Sequence, residues 1–251
     1  MSITRRNLIT TGLAAIAGAA GLTEAARLAT RYGLIPPDGR GIYGPGESLT
    51  YAAANTLGKH ALAREFPRTM ISEKPFANEI PPLGSLFESR RSAGFDNWKL
   101  AVDGLVAHPA EFSLTDLKTM PQRSQITEVA CEEGWSYIAQ WTGTPLHQLL
   151  REVQPLPQAR FAVYFSTQPG FWNSIDIAEA LHPQTLLTVS MNDSDLPVGF
   201  GGPLRLRVPR QLGYKSLKYV SRITLTDSMK HFGKGLGSMD PEGGYAWYAG
   251  I

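Results

Sequence analysis

Cys131 is the only cysteine in 251 residues, and it stands in the stretch EVACEEGWSYIAQWTG (128–143), with Glu132 and Glu133 after it and Trp135 and Trp141 close behind. A sole cysteine cannot form an internal disulfide, so it is either a small buried hydrophobe or a group whose sulfur chemistry is used. Two adjacent carboxylates are costly beside a core cysteine and fit a segment that faces a cleft. As a nucleophile the thiol would need a base and a third group to orient that base, yet the five histidines (60, 108, 147, 182 and 231) form no recognisable signature. A zinc site needs several Cys or His ligands at short spacing, and none occur. A single thiolate can still be the one protein ligand to a metal whose other ligands come from a cofactor.

A second stretch with chemistry in it is PLRLRVPRQLGYKSLK (203–218), which gathers Arg205, Arg207, Arg210, Lys215 and Lys218 without one acidic residue. On a strand Arg205 and Arg207 point to the same side, and guanidinium forks suit phosphate oxygens. Glycines at 201, 202 and 213 let backbone approach an anion closely. A solvated sheet face is the competing reading of the same charges. The stretch GFGGPL is neither a Walker nor a dinucleotide fingerprint, lacking the Lys-Ser/Thr ending and the following helix. Aromatic residues cluster at Trp135, Trp141, Phe171-Trp172 and the C-terminal GGYAWYAGI, where they serve chiefly as core. A tail carrying three rings is expected to be docked rather than frayed.

The elements that must position these groups are short. NWKLAVDGLV alternates around Trp98, Leu100 and Val102 and turns at Asp103-Gly104, a strand and hairpin. Ser113 caps SLTDLKTMP, a helix with Asp116 in its first turn that stops before Pro121. In TPLHQLLREV, Thr144 is the expected cap and Pro145 the first helical residue, with Leu146, Leu149 and Leu150 as the apolar stripe. RFAVYFST and TLLTVSMN are strands around a short helix expected to begin at Ser174, and LRLRVP and SLKYVSRITLTD supply two more alternating runs. With 25 glycines and 18 prolines, the chain has more turns than a helical bundle tolerates.

Composition sets the outer limits. An apolar fraction of 43% with 18% charged residues describes a globular chain with a sizeable core, and a net charge of +2 is too small to call for nucleic acid. The start, MSITRRNLITTGLAAIAGAAGL, sets Arg5 and Arg6 before an uncharged stretch from Leu8 to Thr23, the layout of a twin-arginine signal over residues 1–24. That predicts export to the periplasm, with membrane tethering if the segment is retained. An extended arm over 25–92 is expected to wrap on a catalytic domain over 93–251, because Pro36-Pro37, GRGIYGPG and NEIPPLG break any long period.

Two runs, QITEVACEEGWSYIAQWTGTPLHQLL and SIDIAEALHPQTLLTVSMNDSDLPVGFGGPLRLRVPRQLGYKSLKYVSRITL, resemble the molybdopterin-binding oxidoreductases of the sulfite oxidase fold, in order and over roughly residues 95–251. The likeness is greatest to small single-domain bacterial members, some of which are periplasmic and reduce methionine sulfoxide in proteins. It implies an α+β fold of mixed β-sheets with short helices, with Cys131 as the thiolate ligand to molybdenum beside the pterin dithiolene. By the same resemblance Arg205 and the turn of Ser216, Leu217 and Lys218 hold the pterin phosphate, Thr167 contacts the cofactor, and Asn78 in PFANEIP reaches the pterin. Glu133 is a candidate proton handler near the metal.

Departures from the family pattern bear on function. Relatives often carry a histidine or asparagine where this chain has Phe200, so a polar cofactor contact is expected to be lost or replaced by backbone. The continuation EEGWS differs from the arginine-containing one of sulfite oxidases proper, and the chain ends at Ile251 without their dimerisation domain, which predicts a monomer. With no C-x-x-C-H motif, electrons are expected to pass to or from a separate membrane or periplasmic cytochrome. The resemblance therefore implies an exported molybdenum-cofactor enzyme that transfers oxygen at a small or protein-bound S- or N-oxide. The alternatives are sulfite oxidation on the same fold, an inactive exported binding protein, and a cysteine-nucleophile hydrolase.

Overall fold

The computed structural model describes residues 33–40, 42–78, 82 and 84–251; the twin-arginine segment, 1–24, lies outside the described residues. In chain order the first elements are α1 (Gly44–Leu57), α2 (Ser85–Ser92), β1 (Lys99–Gly104), β2 (Ala110–Ser113), α3 (Leu114–Thr119), β3 (Arg123–Ala130), β4 (Ser136–Pro145) and α4 (Leu146–Val153). They are followed by β5 (Phe161–Ser166), β6 (Trp172–Asp176), α5 (Ile177–Ala180), β7 (Leu186–Met191), β8 (Ser194–Asp195), β9 (Arg205–Arg207) and β10 (Val220–Thr226). One sheet has the order β2-β1-β10-β5-β6 and the other β3-β4-β7-β8, with β9 pairing on β7. β1 and β10 run parallel, whereas the other pairings are antiparallel.

The main core lies where both sheets meet α3 and α4. Leu146, Leu149, Leu150 and Val153 are all fully buried, so the i, i+3, i+4, i+7 stripe of α4 faces inward over its whole length. Each such side chain stabilises the fold by about 1.5–3 kcal/mol relative to exposure. Ser113 and Asp116 form a reciprocal capping box at α3. Two expected caps are corrected. Thr144 and Pro145 end β4, and Thr144 Oγ1 donates to Leu117 O at 2.7 Å instead of capping α4. Ser174 lies within β6, and the α5 cap is Asp176, whose carboxylate accepts from Glu179 N at 2.7 Å. In both places the neighbouring strand takes the backbone that a longer helix would have used.

The segment before β1 is also more ordered than an extended arm. Pro45 falls in the first turn of α1, where its missing N–H costs nothing, so the proline that breaks the period starts a helix. Tyr51 on α1 is buried and donates to Asp176 Oδ2 at 2.9 Å. Arg210 closes the far end, donating from Nη1 to the carbonyls of Gly58, Lys59 and Ala61 and pairing through Nη2 with Glu179 at 3.2 Å. Beyond α1, Phe66 N and Ser72 N donate to Ile126 O and Ile138 O on β3 and β4. The aromatic tail is docked, with Trp247 at 2% exposure and its indole donating to Ser174 Oγ. Among the described residues no helix is long and apolar enough to cross a membrane.

Candidate active site

β3 and β4 pair from Arg123 opposite Gly143 to Ala130 opposite Ser136, and Cys131 begins the loop that joins them. Its N–H donates to Trp135 O at 2.9 Å, and Gly134 N donates back to Cys131 O at 3.1 Å. Gly134 sits at φ +90°, left-handed backbone that a side chain would strain. The period of two along β3 carries the face of Val129 on to Cys131, and both line a cavity of about 320 Å³.

The thiol is half-buried. Burial pushes it up to about 11; the Glu133 backbone N–H pulls it back, and the carboxylates of Glu132 and Glu133 add to the rise. Its Sγ donates to Glu132 Oε2 at 3.3 Å, while Glu133 Oε2 accepts from Trp135 Nε1 at 2.8 Å and Asn78 Nδ2 at 3.4 Å. No histidine lines the cavity among the described residues. A thiol held protonated with only carboxylates beside it is no hydrolytic nucleophile.

The facing wall is cationic. Arg205 is 4% exposed; its Nε donates to Ser216 O at 3.1 Å and one terminal nitrogen, Nη1, to Phe200 O at 3.0 Å. Its second terminal nitrogen, Nη2, has no acceptor among the described residues. Arg207, fully buried, donates to Ser216 Oγ at 3.1 Å and to Glu128 O, and both guanidiniums lie over Trp141, at 5.3 and 5.8 Å from the ring centre. Burial and the Arg205 charge push Arg207 down to about 9. The turn leading to β9 depends on Gly202, where a Cβ would stand 2.0 Å from Leu196 O.

Asn78, Cys131, Arg205, Ser216, Leu217 and Lys218 thus share one cavity. Thr167 lies just outside, between the lining residues Ser166 and Gln168, with its Oγ1 buried and unpartnered. Glu133 stays beside the thiol through Trp135 and Asn78. Lys218 Nζ donates to the carbonyls of Ala77, Asn78 and Gly199, at 2.6–2.9 Å, so it ties the arm to the Phe200 turn as well as charging the wall. Phe200 does not line the cavity: its ring packs on Tyr137 at 5.7 Å, and its carbonyl supplies the polar contact to Arg205. Sequence reasoning missed Asn173, Tyr214, Asp240 and Tyr245 as lining residues. Asn173 looks like an ordinary strand residue and Asp240 like an ordinary loop residue; neither carries a signal that joins them across the chain.

A sulfur donor on one side of the cavity and the cations Arg205 and Lys218 on another suit an anionic cofactor that carries a soft metal. The chain belongs to the family described as the oxidoreductase molybdopterin binding domain, whose model matches residues 89–232. It is 36% identical over 191 residues to the "Putative protein-methionine-sulfoxide reductase subunit YedZ1" of Azospira oryzae, covering 75% of this chain and 68% of that protein. It is 35% identical over 145 residues to the protein-methionine-sulfoxide reductase catalytic subunit MsrP of Ralstonia nicotianae, covering 52% of this chain and 44% of that one. The sulfane dehydrogenase SoxCD from Paracoccus pantotrophus shares the fold, with a TM-score of 0.51 and 22% identity over 53% of this chain and 39% of that one. The α+β architecture of mixed sheets and short helices is therefore the sulfite oxidase type, and the chain is a molybdopterin-dependent oxidoreductase with molybdenum-molybdopterin as its cofactor.

The residues present fit that group. Among the described residues no cluster of three or more His, Cys, Asp or Glu could hold a metal by itself, so a metal here would depend on ligands that arrive with the cofactor, and Cys131 is the residue that would add a thiolate to them. Arg205 Nη2 and the Leu217 N–H, on the cavity, have no partner among the described residues, and Thr167 Oγ1, just outside it, is buried without one. Unpaired donors around one cavity are what an oxyanion-bearing ligand would satisfy.

Proposed function

We propose that the chain is an exported oxidoreductase that removes the oxygen atom from S-oxides, with protein-bound methionine sulfoxide as its substrate class and a separate cytochrome as its electron donor. The observation that carries this is the sharing of one cavity by Cys131, by Arg205, whose Nη2 has no acceptor among the described residues, and by Leu217, whose N–H has none there either. Names of the two relatives supply the substrate class, and the Arg5-Arg6 layout supports export to the periplasm. When bound, the cofactor supplies the two-electron redox chemistry. Cys131 gives up its proton on ligation. Arg205, Lys218 and the Leu217 N–H hold the anionic tail, and Thr167 and Asn78 offer polar contacts to the pterin. Glu133 orients Trp135 and Asn78 around the thiol.

The test is protein matured with its cofactor machinery, assayed for reduction of free and protein-bound methionine sulfoxide with a reduced dye, beside sulfite oxidation with an electron acceptor. S-oxide reduction is expected. Sulfite oxidation alone, or bound molybdenum with neither activity, would overturn the reading. Replacing Arg5 and Arg6 by lysine should leave the protein in the cytoplasm on cell fractionation; unchanged export would remove the twin-arginine assignment.

A further inference from the structure

Lys215 takes no part in the contacts proposed above, and its setting is unusual for a lysine. It is fully buried at the end of the turn Gly213–Lys215; its Nζ makes one hydrogen bond, to Asn173 Oδ1 at 2.7 Å, and lies 5.1 Å from the Trp247 ring centre. An ammonium this deep is costly unless carboxylates offset it, and Asp240, Asp38, Asp176 and Glu179 do so. Asn173, 1% exposed, continues the chain: its Nδ2 donates to Asp240 Oδ2 and to Tyr214 O, and its Oδ1 also accepts from Ser174 N. Ser238 Oγ donates to the same Asp240 oxygen at 2.9 Å. Asp240 Oδ1 is therefore the oxygen without a donor among the described residues. Asn173 and Asp240 line the cavity onto which Cys131 opens.

We propose that Asp240 is a catalytic, proton-handling carboxyl of this site, and that Lys215, acting through Asn173, is the positioning residue that sets its charge. The proposal rests on the S-oxide reading above. Reducing an S-oxide breaks its S–O bond; sulfur gains two electrons, which come from the cytochrome-class donor, two protons are consumed, and oxygen leaves as water. Asp240 Oδ1 gives one of those protons and recovers it from solvent. Burial raises the Asp240 carboxyl above the usual Asp range, the Lys215 charge and the Ser238 and Asn173 hydrogen bonds restrain the rise, and Glu132 adds to it; the Tyr214 phenol faces it as well. Lys215, in turn, is pushed down to about 7 by burial against the pull of its four carboxylates.

The experiment measures kcat and KM for methionine sulfoxide against pH in the holoenzyme, together with molybdenum content and an infrared titration of the protonated carboxyl band. Asp240→Asn is expected to lower kcat about 10²-fold with KM and molybdenum content held, and to lose the infrared band. Asp240→Glu should restore most of the rate and the shape of the profile. Lys215→Met should move the alkaline limb and the band to higher pH, because the charge restraining Asp240 is gone, whereas Lys215→Arg should leave both in place. Wild-type kcat and profile in Asp240→Asn, or an unmoved limb and band in Lys215→Met, would overturn the proposal. If Asp240→Asn fails to fold, wild-type kcat and profile in Asp240→Ala overturn it equally. A molybdenum-loaded wild type without S-oxide reduction refutes the functional reading instead, and the infrared arm still decides whether Lys215 sets the charge of Asp240.

Discussion

The two walls of the cavity solve opposite electrostatic problems. On the β3–β4 hairpin, acid groups stand in partial contact with solvent: Glu132 and Glu133 flank a half-buried thiol, and the Trp135 indole satisfies Glu133. Along β9 and the following turn, Arg205, Arg207 and Lys215 are withdrawn almost completely, and the two arginines receive carbonyl and hydroxyl oxygens rather than carboxylates. Exposed acids need no partner because water screens them, whereas buried guanidiniums without carboxylates leave a net positive wall that a bound anion would compensate. On the function proposed above, the hairpin would face the metal end of the cofactor and the turn its anionic end.

The largest expected effect separates those ends. Cys131→Ala should abolish S-oxide reduction and lower molybdenum further than pterin, because the anion-holding wall is intact while the metal loses its one protein ligand. Arg205→Met should lower pterin and molybdenum together, by about 10–100-fold in retained cofactor. Metal analysis and oxidised-pterin fluorescence on matched preparations read both outcomes. Parallel loss of pterin and metal in Cys131→Ala would erase the contrast between the walls.

Both walls were legible in the sequence only in part, for a physical reason. Cys131 stands out as the sole thiol with Glu132 and Glu133 beside it, but the β3–β4 pair that carries it does not, because Ala130 and Ile138 blur the alternation around Val129 and Tyr137. Arg205 and Arg207 also show as a same-side pair, but nothing local distinguishes a buried, carbonyl-bonded arginine from a solvated one; the answer lies in how the adjoining turns fold Phe200 O and Ser216 back onto them and in Trp141 on another strand. The helix α1 escaped because Pro45 was read as a breaker when it starts the helix. Thr144 and Ser174 carry good capping chemistry, but sheet pairing takes precedence at both positions.

A smaller effect should appear in cofactor-free protein as opposite alkaline slopes. Lys215 titrates near 7 in the fold against an unfolded value of 10.5, so between those values the unfolded chain binds more protons and stability rises with pH. Cys131 behaves in reverse: its folded value of about 11 exceeds the unfolded 9.0, so it withdraws stability as pH rises from 9 to 11. Denaturant midpoints measured against pH should lose the rise in Lys215→Met and the fall in Cys131→Ala. An unchanged alkaline profile in either variant would show that the wall concerned does not bury its group as described.

The smallest effect on the cofactor is expected at Phe200, which the family pattern marks as the suspect position. Its ring meets Tyr137 edge-on, packs against the small cluster that includes Val129, Trp141 and Met191, and does not line the cavity, while its carbonyl already serves Arg205. Phe200→Asn should therefore lower stability by about 1–3 kcal/mol, a fall of several degrees in Tm, because it removes apolar contact from the small cluster beneath the hairpin. Molybdenum content should stay at the wild-type level, since the backbone oxygen that orients Arg205 is kept whatever the side chain. If asparagine instead raises cofactor retention, the side chain reaches the pterin, and the turn then holds the anionic end by side chain as well as by charge and backbone.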